Sequence, residues 1–257
     1  MNLEVSTVKG FQDYLPPESL KRQVIKEIIE KYFKLYGFIP IETPIIEFDE
    51  LMRPDTLSKE EEDEAVADRF RLQDRGGRNL GLRYEFTFQL ARILKENLNI
   101  KLPFKRYQIG PVFRDEPIRQ GRTRQFTQCD ADTIGDPSIN AEAELLSLFS
   151  DILKELKINA EIQVNNRKLL DALIESVEIE EKKQVMRELD KLEKIGADEV
   201  KANLKKYATS NQIVTLFKLL EKDISFLQEN AFEGAEELGQ LIKICKLYGI
   251  KITPNLT

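Results

Sequence analysis

Residues 112–135, VFRDEPIRQGRTRQFTQCDADTIG, carry charged groups of both signs at a spacing that suits ligand binding. Alternate side chains of a strand share a face, which groups Arg124, Phe126, Gln128, Asp130 and Asp132. Arg114 closes the preceding strand and can reach the same surface. Guanidinium groups hold phosphate or carboxylate oxygens in pairs, and carboxylates accept N–H donors. The segment therefore predicts a cradle for a ligand that carries both charges.

The same charges have a structural explanation, an exposed hairpin whose cross-strand ion pairs each contribute little. The central loop EPIRQGRT, residues 116–123, is longer than a hairpin needs, and long loops are often functional. Loop length thus favours ligand binding over the structural explanation.

The residue types available limit the chemistry. The sequence has no histidine and two cysteines, Cys129 and Cys245, which are far apart. This excludes histidine-based general-base catalysis and histidine-ligated metals, and it argues against a disulfide framework or a structural zinc site. We therefore predict no metal-ligating residues. What remains are carboxylates, arginines, lysines and amides, which suit the stabilisation of anionic groups.

Net charge and hydropathy limit the class of protein and its expected location in the cell. A net charge of -6 and a pI near 5.2 argue against a protein that coats nucleic acid with a broad basic field. The first residues have no apolar core of a signal peptide, and no later apolar run is long enough to span a bilayer. We expect an intracellular, cytoplasmic protein with no membrane partner.

The elements that position these residues form a mixed α+β body. Apolar spacing predicts a helix over 18–36, with Leu20, Val24, Ile28, Tyr32 and Leu35 on one face. Pro40 and Pro44 restrict FIPIETPIIEF to an edge or interface strand, and residues 69–87 are predicted to form a hairpin. The acidic run at 59–64 is expected to be a solvated loop. We predict a body over 1–166, a helical domain over 167–250, and a returning strand from 251 to 257.

Several segments resemble histidyl-tRNA synthetases, a family of class II aminoacyl-tRNA synthetases. FRDEP, GRTRQFTQ and QCDADTIG are similar to motif 2 of that family, KGFQDYLP to its opening signature, and GFIPIETPIIE to motif 1. LRYEFT resembles the archaeal and eukaryotic LRYDLT more than the bacterial RPEGT. VNNRKLLDALIE and LDKLEKIG look like the linker and the helical insertion, so the resemblance covers nearly all 257 residues.

The resemblance implies the class II antiparallel sheet flanked by helices, in incomplete form, with a helical insertion domain. It also implies activation of histidine with ATP to histidyl-adenylate and transfer to tRNA(His), with Mg²⁺ bridging phosphate oxygens. By the same resemblance the catalytic residue is Arg114, on the α-phosphate. Histidine would be bound by Glu85, Thr87, Gln128 and Asp132. ATP would be bound by Arg114, Glu116, Arg122 and Phe126. The tRNA acceptor end would contact Arg119 and Gln120.

The sequence departs from the family at its end. Strings like RGLDYYTG and the glycine-rich motif 3, which supply further binding residues in the family, are absent from it. We expect either a truncated synthetase or a stand-alone, non-catalytic paralogue that senses histidine or regulates a partner. In both cases we expect weak or absent adenylation by this polypeptide alone. Motif 1 builds the dimer interface in this class, so a homodimer is also expected.

Overall fold

The fold is taken from a computed structural model that describes residues 5–52 and 68–256. The chain divides into two compact units, Met1–Asp136 and Pro137–Thr257. This division does not coincide with the predicted boundary after residue 166, and the predicted domains stay a prediction. The predicted acidic loop at 59–64 lies outside the described residues.

The first unit contains two helices and six strands among the described residues. The helices are α1 (Glu18–Leu35) and α2 (Thr87–Glu96), and a 3₁₀ turn spans Asp49–Met52. The strands are β1 (Ile39–Pro40), β2 (Ile46–Phe48), β3 (Arg71–Gln73), β4 (Asn79–Leu82), β5 (Phe104–Phe113) and β6 (Gln125–Ile134).

Helix α1 forms where the apolar spacing predicted it, but most of its apolar face is exposed. Phe33 is its buried residue. Leu20, Val24 and Leu35 are 58%, 53% and 69% exposed. The core contact of α1 is therefore made by Phe33 and not by these apolar side chains.

The strands form two small sheets, ordered β1-β5-β6 and β2-β4-β3. The segment with Pro40 and Pro44 supplies β1 and β2, each at a sheet edge, as predicted for a stretch that lacks two N–H donors. Strand β1 runs parallel to β5, whereas β5 and β6 form a long antiparallel hairpin. Strands β3 and β4 form the predicted hairpin over 69–87.

One face of the β5–β6 hairpin packs on α1. The Tyr107 ring lies 5.2 Å from that of Phe33, and its hydroxyl donates to Glu30 at 2.9 Å. Arg22 donates from α1 to the Thr127 hydroxyl at 3.0 Å. Since alternate residues of a strand point to opposite faces, the residues between these contacts face away from α1.

The N-terminal segment packs against the same hairpin through Gly10. The Gly10 carbonyl accepts the backbone N–H of Arg124 at 2.8 Å. Gly10 has a φ of +87°, and a Cβ there would lie 2.7 Å from Cγ of Arg124. Both the backbone conformation and the close approach require glycine, which gives KGFQDYLP a role in holding the base of the loop.

The second unit is mostly helical, with one short pair of strands. Its helices are α3 (Ile139–Glu155), α4 (Arg167–Ser176), α5 (Lys182–Leu189), α6 (Leu192–Ile195), α7 (Ala197–Leu204), α8 (Ser210–Leu220), α9 (Ile224–Glu229) and α10 (Ala235–Leu247). Strands β7 (Ile162–Val164) and β8 (Ile252–Pro254) pair in parallel, and β8 lies within the segment predicted as a returning strand.

The helices of the second unit enclose a core of aliphatic side chains, including the fully buried Leu169, Leu173, Ile174, Val185 and Leu216. Helix ends are satisfied locally. Asn166 accepts the N–H of Leu169 at 3.0 Å, and Thr209 forms a reciprocal capping box with Gln212. Such caps commonly contribute about 1 kcal/mol each.

Candidate functional site

The register of the β5–β6 hairpin brings the predicted residues to one face. Four of its pairs are Arg106 with Asp132, Gln108 with Asp130, Gly110 with Gln128, and Val112 with Phe126. The backbone N–H of Arg114 donates to the carbonyl of Arg124 at 2.9 Å, which extends the ladder by one pair. By strand alternation, all of these side chains lie on the face opposite α1.

Arg114 is held between aromatic rings at the loop end of this face. Its guanidinium carbon lies 4.4 Å from the ring centre of Tyr84 and 5.1 Å from that of Phe126. Both distances are in the range of cation–π contact. Its Nε is buried and has no hydrogen-bond partner among the described residues. The group is therefore oriented but retains a donor for a ligand.

Beside Arg114 is a cavity of about 260 Å³, lined by Arg114, Glu116, Gly121, Arg122, Thr123 and Phe126. Glu116 accepts a hydrogen bond from Arg122 at 3.1 Å and lies 4.0 Å from Nη1 of Arg114. The carboxylate thus lies between two guanidinium groups and limits their repulsion. An aromatic face beside two cations can bind an aromatic base that carries phosphates.

Asp132 marks the opposite end of the face, about 20 Å along the strand from Phe126. Its Oδ2 lies 2.5 Å from Nη2 of Arg106, whose side chain is 0% exposed. Burial raises the pKa of the Asp132 carboxyl, opposed by the Arg106 charge and reinforced by Asp130 and Glu85. Burial also lowers the pKa of Arg106, opposed by the same carboxylates. This end is therefore acidic and partly dehydrated.

Gln128 and Glu85 lie at this acidic part of the site. Gln128 donates to Asp130 at 3.0 Å. Glu85 accepts the N–H of Phe88 at 3.0 Å, at the start of α2. The neighbouring Arg83 donates to the carbonyls of Thr43 and Pro111.

The remaining predicted residues lie at exposed positions. Thr87 is the first residue of α2 and is exposed. Arg119 and Gln120 are exposed at the tip of the loop, where the Arg119 carbonyl accepts the N–H of Arg122 at 2.9 Å. Gly121 follows them with a φ of +77°, a turn conformation that favours glycine. Among the described residues, no contact links either loop-tip side chain to the rest of the site.

Sequence reasoning missed Arg106 and Tyr84. Arg106 precedes Arg114 by as many residues as Asp132 follows Arg124. Once the two ends of the loop are known, this equal spacing predicts that Arg106 pairs with Asp132. Nothing in the sequence indicated that Tyr84 lies under the Arg114 guanidinium, because Tyr84 follows β4 and Arg114 follows β5, and these two strands belong to different sheets.

The described residues contain neither a metal-binding cluster nor a membrane-spanning helix. No three histidine, cysteine, aspartate or glutamate side chains are grouped so as to hold a metal ion in 5–52 and 68–256. In the same ranges, no helix combines the length and apolar character needed to cross a membrane.

The two-stranded antiparallel core, with an arginine beside its loop and acids at the far end, is that of a class II aminoacyl-tRNA synthetase catalytic domain. The family model for histidyl-tRNA synthetases matches residues 10–250. The chain belongs to that family.

Individual relatives agree with this assignment. Histidine–tRNA ligase 1 of Bacillus cereus is 41% identical over 260 residues, which cover 96% of this chain and 59% of the relative. The crystal structure of histidyl-tRNA synthetase from Nostoc sp. PCC 7120 matches with a TM-score of 0.85 at 28% identity, covering 99% of this chain and 61% of that one. The chain therefore spans about three fifths of the length of these relatives.

A further neighbour shares the fold alone. It is a structure described as an ATP phosphoribosyltransferase regulatory subunit/histidyl-tRNA synthetase from Bacillus halodurans, with a TM-score of 0.81 at 19% identity. It covers 100% of this chain and 69% of the neighbour.

Proposed function

We propose that this chain binds histidine and ATP on the face of the β5–β6 hairpin opposite α1 and contributes to the formation of histidyl-adenylate. The observation that carries this proposal is the separation of charge along one face. Arg114 lies between aromatic rings at one end, and Asp132 lies with Glu85 and Asp130 at the other. A nucleotide joined to an amino acid presents the complementary order of groups.

At the loop end, Arg114 would hold the α-phosphate and the histidine carboxylate. Its Nε has no hydrogen-bond partner among the described residues and is buried, so a ligand oxygen there would relieve an unsatisfied donor. Arg122 and Glu116 would contact the remaining phosphates and the adenine edge, and Phe126 would stack on the base. The cavity beside these residues supports this assignment.

At the acidic end, Glu85 and Thr87 would hold the α-ammonium group of histidine. Gln128 would complete the pocket, and Asp132 would accept a hydrogen bond from the imidazole. The density of carboxylates supports this assignment, because an ammonium group and a ring N–H both donate to oxygen.

The reaction needs positioning and charge stabilisation from the protein, since the histidine carboxylate is itself the nucleophile. A carboxylate oxygen bonds to the α-phosphorus as the bond from that phosphorus to pyrophosphate breaks, and pyrophosphate leaves. Attack brings two anions together, and Arg114 would offset their repulsion and the charge that develops at phosphorus. Mg²⁺ would be held by ATP phosphate oxygens, where it would offset their negative charge.

The second step, transfer to tRNA(His), would take place in the cytoplasm with the acceptor end near the loop tip. Arg119 and Gln120 are exposed at the loop tip. This exposure supports a role in contacting the tRNA.

A homodimer is proposed from the apolar side chains left exposed on α1 and the edge strands. Val24, Ile25, Ile39 and Ile46 are 53%, 43%, 52% and 49% exposed. Surfaces of this kind mark interaction sites. Sedimentation of the chain and of Val24→Lys tests the proposal. We expect a dimer that the lysine dissociates, and a monomer at micromolar concentration would contradict it.

The level of adenylation activity distinguishes the two candidate functions, a catalytic synthetase and a non-catalytic histidine sensor. Strings like RGLDYYTG and motif 3 are absent from this sequence, and loss of one preorganised donor commonly costs about a hundred- to a thousandfold in rate. We therefore propose binding with weak or absent adenylation by this polypeptide alone. A non-catalytic histidine sensor would share the binding step.

Calorimetric titration with histidine, followed by histidine-dependent ATP–pyrophosphate exchange, tests the proposal. We expect specific binding of histidine and ATP, together with little exchange. Absence of histidine binding would refute the binding site. Exchange as fast as that of a full-length relative would refute the prediction of weak activity and exclude the sensor.

A further inference from the structure

The proposed histidine pocket lies beside a buried charged residue, Arg106, for which the sequence predicted no role. Arg106 on β5 is 0% exposed and lies opposite Asp132 in the hairpin register. Its Nη2 lies 2.5 Å from Oδ2 of Asp132. None of its three side-chain nitrogens has a well-directed hydrogen bond among the described residues. The carboxylate is thus the principal counter-charge of a fully dehydrated cation.

The two oxygens of Asp132 have different surroundings. Oδ2 is buried against Arg106, while the side chain as a whole is 34% exposed. No hydrogen bond occupies Oδ1 among the described residues. Arg106 therefore fixes which oxygen faces inward and leaves the other directed outward.

Three carboxylates lie within electrostatic reach of Arg106, namely Asp132, Asp130 and Glu85. Burial raises the pKa of Asp132, and the charges of Asp130 and Glu85 add to that rise, while the Arg106 charge opposes it. Without the Arg106 cation, Asp132 would take up a proton more readily. A protonated Asp132 would present a hydroxyl in place of a fixed acceptor.

We propose that Arg106 is a positioning residue for recognition of the amino acid side chain: it keeps Asp132 ionised and orients Oδ1 toward an N–H donor of the ligand. The inference rests on the proposed function, because it deepens the role given there to Asp132. It assigns specificity for a ring N–H to a pair of residues, one of which never touches the ligand.

A purely structural role makes a different prediction. Buried ion pairs contribute little net stability, and an apolar residue of similar size often replaces them without loss. If Arg106 only fills space, Arg106→Met should leave histidine affinity unchanged. If it acts through Asp132, the substitution should weaken histidine binding and leave ATP binding, at the far end of the face, unaffected.

The test is a double-mutant cycle on the full chain, with histidine and ATP affinities measured by calorimetry. We expect Arg106→Met and Asp132→Asn each to weaken histidine binding about 10- to 100-fold. The double variant should bind histidine no more weakly than Asp132→Asn alone, because without an ionised Asp132 the arginine has nothing to orient. ATP affinity should stay within about twofold throughout.

A matched control removes an arginine of α1 that contacts the opposite face of the hairpin. Arg22 donates to Thr127 there at 3.0 Å, and Arg22→Met should not change histidine affinity. If Arg106→Met does not fold, Arg106→Gln and Arg106→Lys replace it. The lysine should retain affinity within about fivefold and the glutamine should lose tenfold or more.

The outcomes separate the two claims. If the unmodified chain does not bind histidine, the proposed function fails. If it binds histidine, three results would each overturn the positioning role: unchanged binding by Arg106→Met, additive losses in the double variant, or equal losses with lysine and glutamine.

Discussion

Arg114 and Asp132 lie on the same face of the β5–β6 hairpin, at opposite ends of one antiparallel ladder. The register that pairs Arg106 with Asp132 continues without interruption to the contact between Arg114 and Arg124. A cation and an anion are thereby held at a fixed spacing by main-chain hydrogen bonds. Ligand specificity can therefore be built on a rigid element, with the loop free to adapt.

The first prediction concerns the guanidinium group of Arg114, which contacts two aromatic rings. Arg114→Lys keeps the charge but loses the planar contacts with Tyr84 and Phe126 and the paired donors. We expect ATP affinity to fall about 10- to 30-fold in calorimetric titrations. The control is Arg78→Lys, at an arginine that pairs with Asp74 in the β3–β4 turn. Equal ATP affinities of the two lysine variants would contradict the role of Arg114.

Two substitutions of Glu85 distinguish a structural role of this residue from a role in histidine binding. Its Oε1 accepts the N–H of Phe88 at the start of α2. Glu85→Gln keeps an acceptor oxygen and loses the charge, so we expect thermal stability close to that of the unmodified chain with tenfold or more weaker histidine binding. Glu85→Ala should lose binding and also about 1 kcal/mol of unfolding free energy. Full histidine binding by the glutamine variant would remove Glu85 from the site.

Much of the hairpin was predictable because its signals are local. A long loop between two apolar-rich strands defines the ladder, and strand alternation then groups Phe126 with Asp132. The proline-limited edge strands followed from the missing N–H donors of Pro40 and Pro44. These features depend on residues close in sequence.

The parts that sequence reasoning missed depend on long-range packing. The exposed face of α1 could not be distinguished from a core face, because apolar spacing predicts burial without saying what covers it. Tyr84 contacts Arg114 from the segment that follows β4, a strand of the other sheet. The burial of Arg106 depends on what covers the sheet, and composition alone predicts an exposed arginine.

Close packing at Gly110 provides a prediction about stability. A Cβ at Gly110 would lie 2.7 Å from Nη2 of Arg83. That guanidinium is fixed by the carbonyls of Thr43 and Pro111 and cannot move away without losing both bonds. We expect Gly110→Ala to lower the free energy of unfolding in urea by about 2 kcal/mol.

Gly76→Ala is the matched control for that measurement. Gly76 lies in the β3–β4 turn, and the nearest atom to its added Cβ is the Asp74 carboxylate oxygen at 3.3 Å. Its effect should be within about 0.5 kcal/mol. Similar stabilities of the two alanine variants would show that Arg83 can reposition.

The cysteine on the α1 side of the hairpin should be chemically quiet. Burial raises the pKa of Cys129 to about 11, with a further contribution from Asp130. At pH 8 the reactive thiolate is therefore scarce. We expect iodoacetamide to modify Cys129 far more slowly in the folded chain than in urea, with the folded rate rising steeply toward pH 10. Equal rates in both states, measured by mass spectrometry, would contradict the burial.

A structure of the chain determined with histidine and ATP bound tests the central claim most directly. The account predicts the α-phosphate within hydrogen-bond distance of Arg114, adenine against Phe126, and the imidazole N–H directed at Asp132. Ligands bound away from the hairpin face opposite α1, or bound in the reverse order along that face, would contradict the account.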